Sequence, residues 1–74
     1  MIKLYNRLKI KDKWFLLSKE GKVEIKDKLH IQCLNTINSL NSKFELNNYL
    51  KHENSIRKKA YIEFVMKSNE VFAK

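Results

Sequence analysis

The sequence predicts an α+β fold, in which an N-terminal three-stranded antiparallel β-meander is packed by a central amphipathic helix and by one or two C-terminal helices. Three observations lead to this prediction. Apolar and polar side chains alternate over most of residues 2–26, apolar side chains recur at helical spacing over residues 29–42, and a helical period returns from residue 44 onward. No repeat, linker or low-complexity tail interrupts the pattern, so residues 1–74 are expected to form a single small domain.

The first strand is predicted from nearly strict alternation over residues 2–11. Asn6 is the one exception on its apolar face, which otherwise carries Ile2, Leu4, Leu8 and Ile10. Residues 14–18 and 23–26 read as the second and third strands, with Gly21, the only glycine, between them as in a tight hairpin. The meander therefore has one apolar face, which we expect a helix to cover.

The central helix is predicted from residues 29–42, which carry no charge in a chain that is 32% charged. Asp27 suits the N-cap of this helix. Its apolar face, which includes Cys33 and His30, should be buried in the core. Its opposite face is polar but uncharged and can be covered at modest cost, so it is the predicted oligomer interface: Gln32, Asn35, Thr36 and Ser39.

The C-terminal part is predicted to form two helices, about residues 45–53 and about residues 55–68, with Asn54 or Ser55 as the second N-cap. A strand over residues 61–66 is the alternative, because this aromatic and β-branched mixture also suits a central strand. Both interpretations stay open at this point.

The charge balance indicates acidic partners. The chain has 16 lysines and arginines against 8 acidic residues, a net charge of +8, and such a surface attracts acidic proteins, nucleic acid or anionic lipid. Only Arg7 and Arg57 are arginines, and arginine is the residue suited to bidentate phosphate and base contacts. An acidic protein is therefore the first expected partner, and DNA or RNA is the alternative.

The first strand supplies the main candidate contact surface. Its polar face forms a basic row with one aromatic residue, which could grip an acidic groove or follow a phosphate backbone: Lys3, Tyr5, Arg7, Lys9 and Lys11. A second basic cluster lies at the start of the last element: Arg57, Lys58 and Lys59. Lysines on an edge strand also guard against aggregation, and charge runs are often only solvated faces.

Enzymatic signatures are lacking. Acidic residues show no paired spacing for acid–base work, a single glycine excludes glycine-rich phosphate loops, and His30 and Cys33 lack further ligands or a base. We therefore expect no catalysis, no metal and no cofactor. No apolar run is long enough to cross a membrane, and a lone cysteine suits a reducing cytoplasm.

The function expected from these features is that of a non-catalytic binding protein. It would dock through its basic faces onto an acidic host protein of replication, transcription or defence, and inhibit or redirect it. The Lys-, Asn- and Ile-rich composition is typical of AT-rich phages and mobile elements. The alternative is a small basic DNA- or RNA-binding regulator. A chain of 74 residues without a disulfide gains from oligomerisation, so a homodimer is also expected.

Overall fold

The computed structural model describes residues 2–72 of the chain, and the side chains of residues 2–69. Three strands come first: β1 (Arg7–Ile10), β2 (Lys13–Ser18) and β3 (Gly21–Glu24). Three helices follow: α1 (Lys28–Ser39), α2 (Lys43–His52) and α3 (Ile56–Phe72). The strands pair antiparallel in the order β1-β2-β3. The predicted α+β fold, a meander followed by helices, is confirmed.

Two-residue loops join the strands, as expected for hairpins. Lys11 opens the first loop with a φ of 57°. In the second hairpin Gly21 pairs with Ser18 and has a φ of 125°, a conformation that glycine adopts without a steric penalty. Nothing lies within 4 Å of the position a Cβ would take at Gly21. Backbone conformation, and not crowding, therefore selects glycine at this position.

Each helix begins at a side chain that accepts a hydrogen bond from the first turn, where backbone N–H groups lack partners within the helix. Asp27 accepts from the N–H of His30 at 2.9 Å, Ser42 from that of Glu45 at 3.2 Å, and Ser55 from that of Lys58 at 3.3 Å. The predicted Asp27 cap is confirmed, and of the two candidates before α3 it is Ser55 that bonds. Residues 61–66 lie inside α3, so the strand alternative is wrong.

The core lies between the three helices and one side of the sheet. Cys33, Leu34 and Ile37 from α1 are fully enclosed, as predicted for the apolar face of the central helix. The buried apolar side chains of the described chain are Trp14, Cys33, Leu34, Ile37, Leu46, Ile62 and Val65. The sheet therefore supplies one of these seven, Trp14.

The N-terminal segment before β1 is held by hydrogen bonds to the ends of two helices. The amide of Asn69, buried near the end of α3, donates to the Lys3 carbonyl at 3.2 Å and accepts from the Tyr5 N–H. The Ile2 N–H donates to the carbonyl of Leu40 at 2.7 Å. Ile2 and Leu4 pack against the core from this segment. Residues 2–5 thus contact the helices without belonging to the sheet.

Candidate protein-docking surface

The strand register divides the sheet into two faces, because directly paired residues share a face and successive residues alternate. The inner face, which meets α1, carries Arg7, Lys9, Trp14, Leu16, Ser18, Gly21 and Val23. The outer face carries Leu8, Ile10, Lys13, Phe15, Leu17, Lys22 and Glu24. The orientation is fixed by Trp14, whose indole N–H donates to the Asn35 side chain of α1 at 2.8 Å.

The outer face carries four apolar side chains and the inner face three, yet the outer face lies away from the helices. Leu8 and Ile10 are each 39% exposed and Leu17 is 36% exposed, while Phe15 between them is half-buried. These four residues form one apolar patch across β1 and β2. The Lys22 ammonium lies 5.6 Å from the centre of the Phe15 ring, so a positive charge borders the patch on the side of β3.

The prediction that a helix covers the apolar face of the meander is therefore wrong for Leu8 and Ile10. The cause is a turn at Tyr5 and Asn6, where two consecutive residues, Asn6 and Arg7, are both buried. The alternation shifts by one residue at this point, so Ile2 and Leu4 face the core whereas Leu8 and Ile10 face outward. A one-residue shift moves every later side chain to the opposite face.

The predicted basic row of the first strand is divided by the same turn. Arg7 is buried, with only 5% of its surface exposed, so the prediction that it belongs to an exposed basic row is wrong. Lys9 is exposed on the inner face, with its ammonium 5.8 Å from the centre of the Trp14 ring. Lys11 lies in the first hairpin loop, while Lys3 and Tyr5 precede β1 and contact each other at 5.5 Å from ammonium to ring centre.

The second predicted cluster lies in the first turns of α3 and does not form one surface. Arg57 is exposed, whereas Lys58 is partly buried and its carbonyl accepts the weak hydrogen bond of the Cys33 thiol, 3.8 Å away. Lys59 lines a groove between α2 and α3. Burial raises the pKa of the Cys33 thiol, which disfavours the reactive thiolate.

Most of the polar side chains of the predicted oligomer interface on α1 form hydrogen bonds within the same chain. Thr36 donates to the Gln32 carbonyl at 2.9 Å and Ser39 to the Thr36 carbonyl at 2.7 Å. Asn35 accepts from Trp14 and so holds the sheet against the helix. Self-association through these four residues stays a prediction.

A small group of polar side chains surrounds the start of α1. The rings of His30 and Tyr61 lie 5.6 Å apart, and the Tyr61 hydroxyl donates to Asp27 at 3.4 Å. The Nε of Arg7 and the Nε2 of His30 are enclosed and have no hydrogen-bond partner among the described residues. Burial, and then the positive charge of Arg7, lower the pKa of His30, although Asp27 acts in the opposite direction. His30 thus stays neutral at neutral pH.

This environment predicts a loss of stability on mild acidification. Below about pH 6.5 the unfolded chain takes up a proton at His30, whereas the folded chain does so only at lower pH because the pKa of His30 is depressed. The free energy of unfolding should therefore fall between about pH 7 and about pH 5. The hydrogen bond from the His30 N–H lowers the pKa of Asp27, so protonation of Asp27 affects the free energy of unfolding only in more acidic solution.

Urea denaturation at several pH values measures this dependence. The H30Q variant should show a flatter profile than the native chain over the same range. An unchanged slope in H30Q would show that another group controls the acid response.

Among the described residues, no group of three or more His, Cys, Asp or Glu side chains is placed to hold a metal ion. None of the helices in that part of the chain combines the length and apolar character that crossing a bilayer requires. No protein-family model matches the chain, and no curated protein or solved structure shows significant similarity to it. The outer face of the sheet, with Leu8, Ile10, Phe15 and Leu17 side by side, is the candidate docking surface.

Proposed function

We propose that this chain is a non-catalytic binding protein that docks onto an acidic protein surface through the outer face of its sheet. One observation carries the proposal: the outer face of the sheet, with its four apolar side chains, is turned away from the helices that could have covered it. Contiguous exposed apolar patches on small soluble domains mark interaction sites. A partner that covers Leu8, Ile10, Phe15 and Leu17 would complete the second layer of the sheet.

The charge around the patch favours an acidic partner. Lys13 and Lys22 share the outer face with the apolar residues, against the single acid Glu24, and the whole chain carries +8. Complementary charge steers association and suppresses wrong partners. The same charge opposes pairing of two copies through this face.

A protein fits the patch better than a nucleic acid does. Aliphatic side chains such as Leu8, Ile10 and Leu17 are not the aromatic platforms on which exposed bases stack. Of the two arginines in the chain, Arg7 is buried and only Arg57 is exposed. The residues that could bind DNA or RNA are therefore almost all lysines, which contact phosphate as point charges.

We propose a cytoplasmic partner in the replication, transcription or defence machinery of a bacterial host, which docking inhibits or redirects. Its support is the small, lysine- and asparagine-rich composition, typical of phage and mobile-element products, and the single enclosed thiol, which suits a reducing compartment.

Affinity capture with matched variants tests the docking face. The chain is tagged and incubated with a nuclease-treated bacterial lysate, beside an untreated one. Native protein should retain an acidic protein after nuclease treatment, and the L8Q/L17Q double variant should bind it at least about tenfold more weakly. The control is V23Q, which alters an exposed aliphatic residue on the opposite face of the same sheet.

Two results would contradict the proposal. Retention of nucleic acid alone, lost after nuclease treatment, would favour the DNA- or RNA-binding alternative. Equal partner binding by L8Q/L17Q and native protein would remove the outer face as the contact. Circular dichroism of each variant checks that the fold is intact before binding is measured.

A further inference from the structure

A second surface, between α2 and α3, has the form of a binding groove. α2 and α3 are separated by a depression of about 600 Å³ lined by Phe44 and Lys51 from α2 and by Lys59 and Glu63 from α3. A neighbouring depression of about 380 Å³ continues it, sharing Asn47, Leu50 and Glu63. Together they run between the two helices as one groove.

The lining of the groove combines apolar and polar side chains. Leu46 and Ile62, which belong to the core, and the partly buried Met66 line the smaller depression. The partly buried Leu50 lines both depressions, and Asn47 and Asn48 make the larger one more polar. Phe44 lies at its edge and is 80% exposed. The exposed Phe44 ring is placed to cover one side of a molecule bound in the groove. Aromatic residues are enriched among the side chains that contribute most of the binding energy at protein interfaces.

The charges around the groove are almost all positive. Lys51 and Lys59 border the larger depression, and Lys43 and Lys67 border the smaller one. Among the described side chains, 2–69, Glu63 is the only acidic one that lines either of them. An occupant that carries negative charge on both sides of an apolar stripe would therefore match the groove in both properties.

We infer that the α2–α3 groove binds an acidic amphipathic helix of a protein partner. A helix laid between two helices buries residues at positions i, i+3 or i+4, and i+7. α2 has 10 residues, which corresponds to a length of about 15 Å, so about 10 residues of partner helix, nearly three turns, would lie along the groove, and a peptide of about 14 residues spans it completely. Its Glu and Asp side chains would face the lysines while its apolar stripe contacts Phe44, Leu50 and Met66.

A second copy of this chain would occupy the α2–α3 groove less favourably than an acidic helix would. Its net charge is +8, and two such molecules repel each other on approach. The inference rests on the proposed function, since both assume an acidic protein partner, but it assigns a contact that does not involve the sheet. The L8Q/L17Q variant should therefore bind such a helix as the native chain does, so the two surfaces can fail separately.

A defined peptide tests the groove directly. The probe is a fluorescent peptide of about 14 residues with Leu at helical i, i+4, i+7 and i+11 spacing and Glu at most other positions. One control peptide has the same residues in an order that gives no apolar stripe, and another has Lys in place of Glu. Fluorescence anisotropy of each peptide is followed as the full-length chain is added.

The expected result is saturable binding of the ordered acidic peptide alone. F44S should weaken it at least about tenfold, and the K51E/K59E variant should do the same through charge. I56S is the matched control, because Ile56 is 82% exposed and does not line the groove. Both Phe44 and Ile56 are so exposed that their replacement should leave the fold intact.

Four results would overturn the inference. The ordered acidic peptide could fail to bind, or the control peptides could bind equally well. F44S could have no greater effect than I56S. Sedimentation could show that the native chain is a dimer and that F44S makes it a monomer, in which case the groove is filled by a second copy.

Discussion

Replacement of Trp14 by alanine should lower the free energy of unfolding by about 3–5 kcal/mol, the usual cost of truncating a large buried aromatic residue. Trp14 is the one side chain of the sheet that belongs to the buried core, and it also bonds to Asn35 of α1. A domain of this size has a total stability of only about 5 kcal/mol or somewhat more. The W14A variant should therefore be only marginally stable at room temperature, with about 2 kcal/mol or less of its stability left.

The neighbouring residue provides the control for this prediction. Phe15 is as apolar as Trp14 but lies half-buried on the outer face, so F15A should cost about 1–2 kcal/mol, less than W14A. W14F keeps most of the buried area and loses the bond to Asn35, with a cost of about 1 kcal/mol. Urea denaturation followed by circular dichroism measures all three. Equal losses in F15A and W14A would mean that the faces of the sheet are assigned wrongly.

Charge reversal at Arg7 should destabilise the fold by about 3 kcal/mol or more, because it places an acid in an enclosed site without a partner. Arg7 donates to the Asn6 side-chain oxygen, which would instead face the new carboxylate. Burial already lowers the pKa of the Arg7 guanidinium, which reflects the cost of enclosing its charge. The R7E measurement belongs at about pH 8, where neutral His30 offers the acid no charge to pair with.

The same reversal at Lys9 should have a much smaller effect. Lys9 is exposed and loses only its contact with the Trp14 ring, so K9E should cost no more than about 1 kcal/mol. A smaller loss in R7E than in K9E would show that Arg7 faces solvent, as alternation counted from Ile2 predicts. Urea denaturation of the two variants side by side decides between these outcomes.

Most of the fold could be predicted because its signals are local. A few neighbouring residues are enough to indicate the helix caps at Asp27 and Ser55 and the hairpin at Gly21. The same holds for the charge-free segment around Leu34. Residues 61–66 were ambiguous because their β-branched and aromatic side chains suit either structure. Packing of Ile62 and Val65 in the core decides in favour of the helix.

The candidate site could be predicted only in part. Alternation counted from Ile2 places Leu8 and Ile10 on the covered face of the meander, whereas the structure places them on its outer face. The available signal was Asn6, a turn-forming residue on an otherwise apolar face. Whether such a residue continues a strand or begins a turn depends on bonds to distant residues, such as the one from Tyr5 to Asn69. The α2–α3 groove depends on how two helices pack, which neither helix reveals separately.

Site-specific photo-crosslinking tests the central claim most directly. A benzophenone amino acid is placed at position 17 on the outer face or, as the control, at position 23 on the inner face, and the tagged chain is irradiated in a nuclease-treated bacterial lysate. If the outer face of the sheet docks onto a protein, position 17 should give a covalent product with an acidic protein and position 23 should give none. Equal products from both positions, or none from position 17, would contradict the proposal that the outer face of the sheet binds a protein partner.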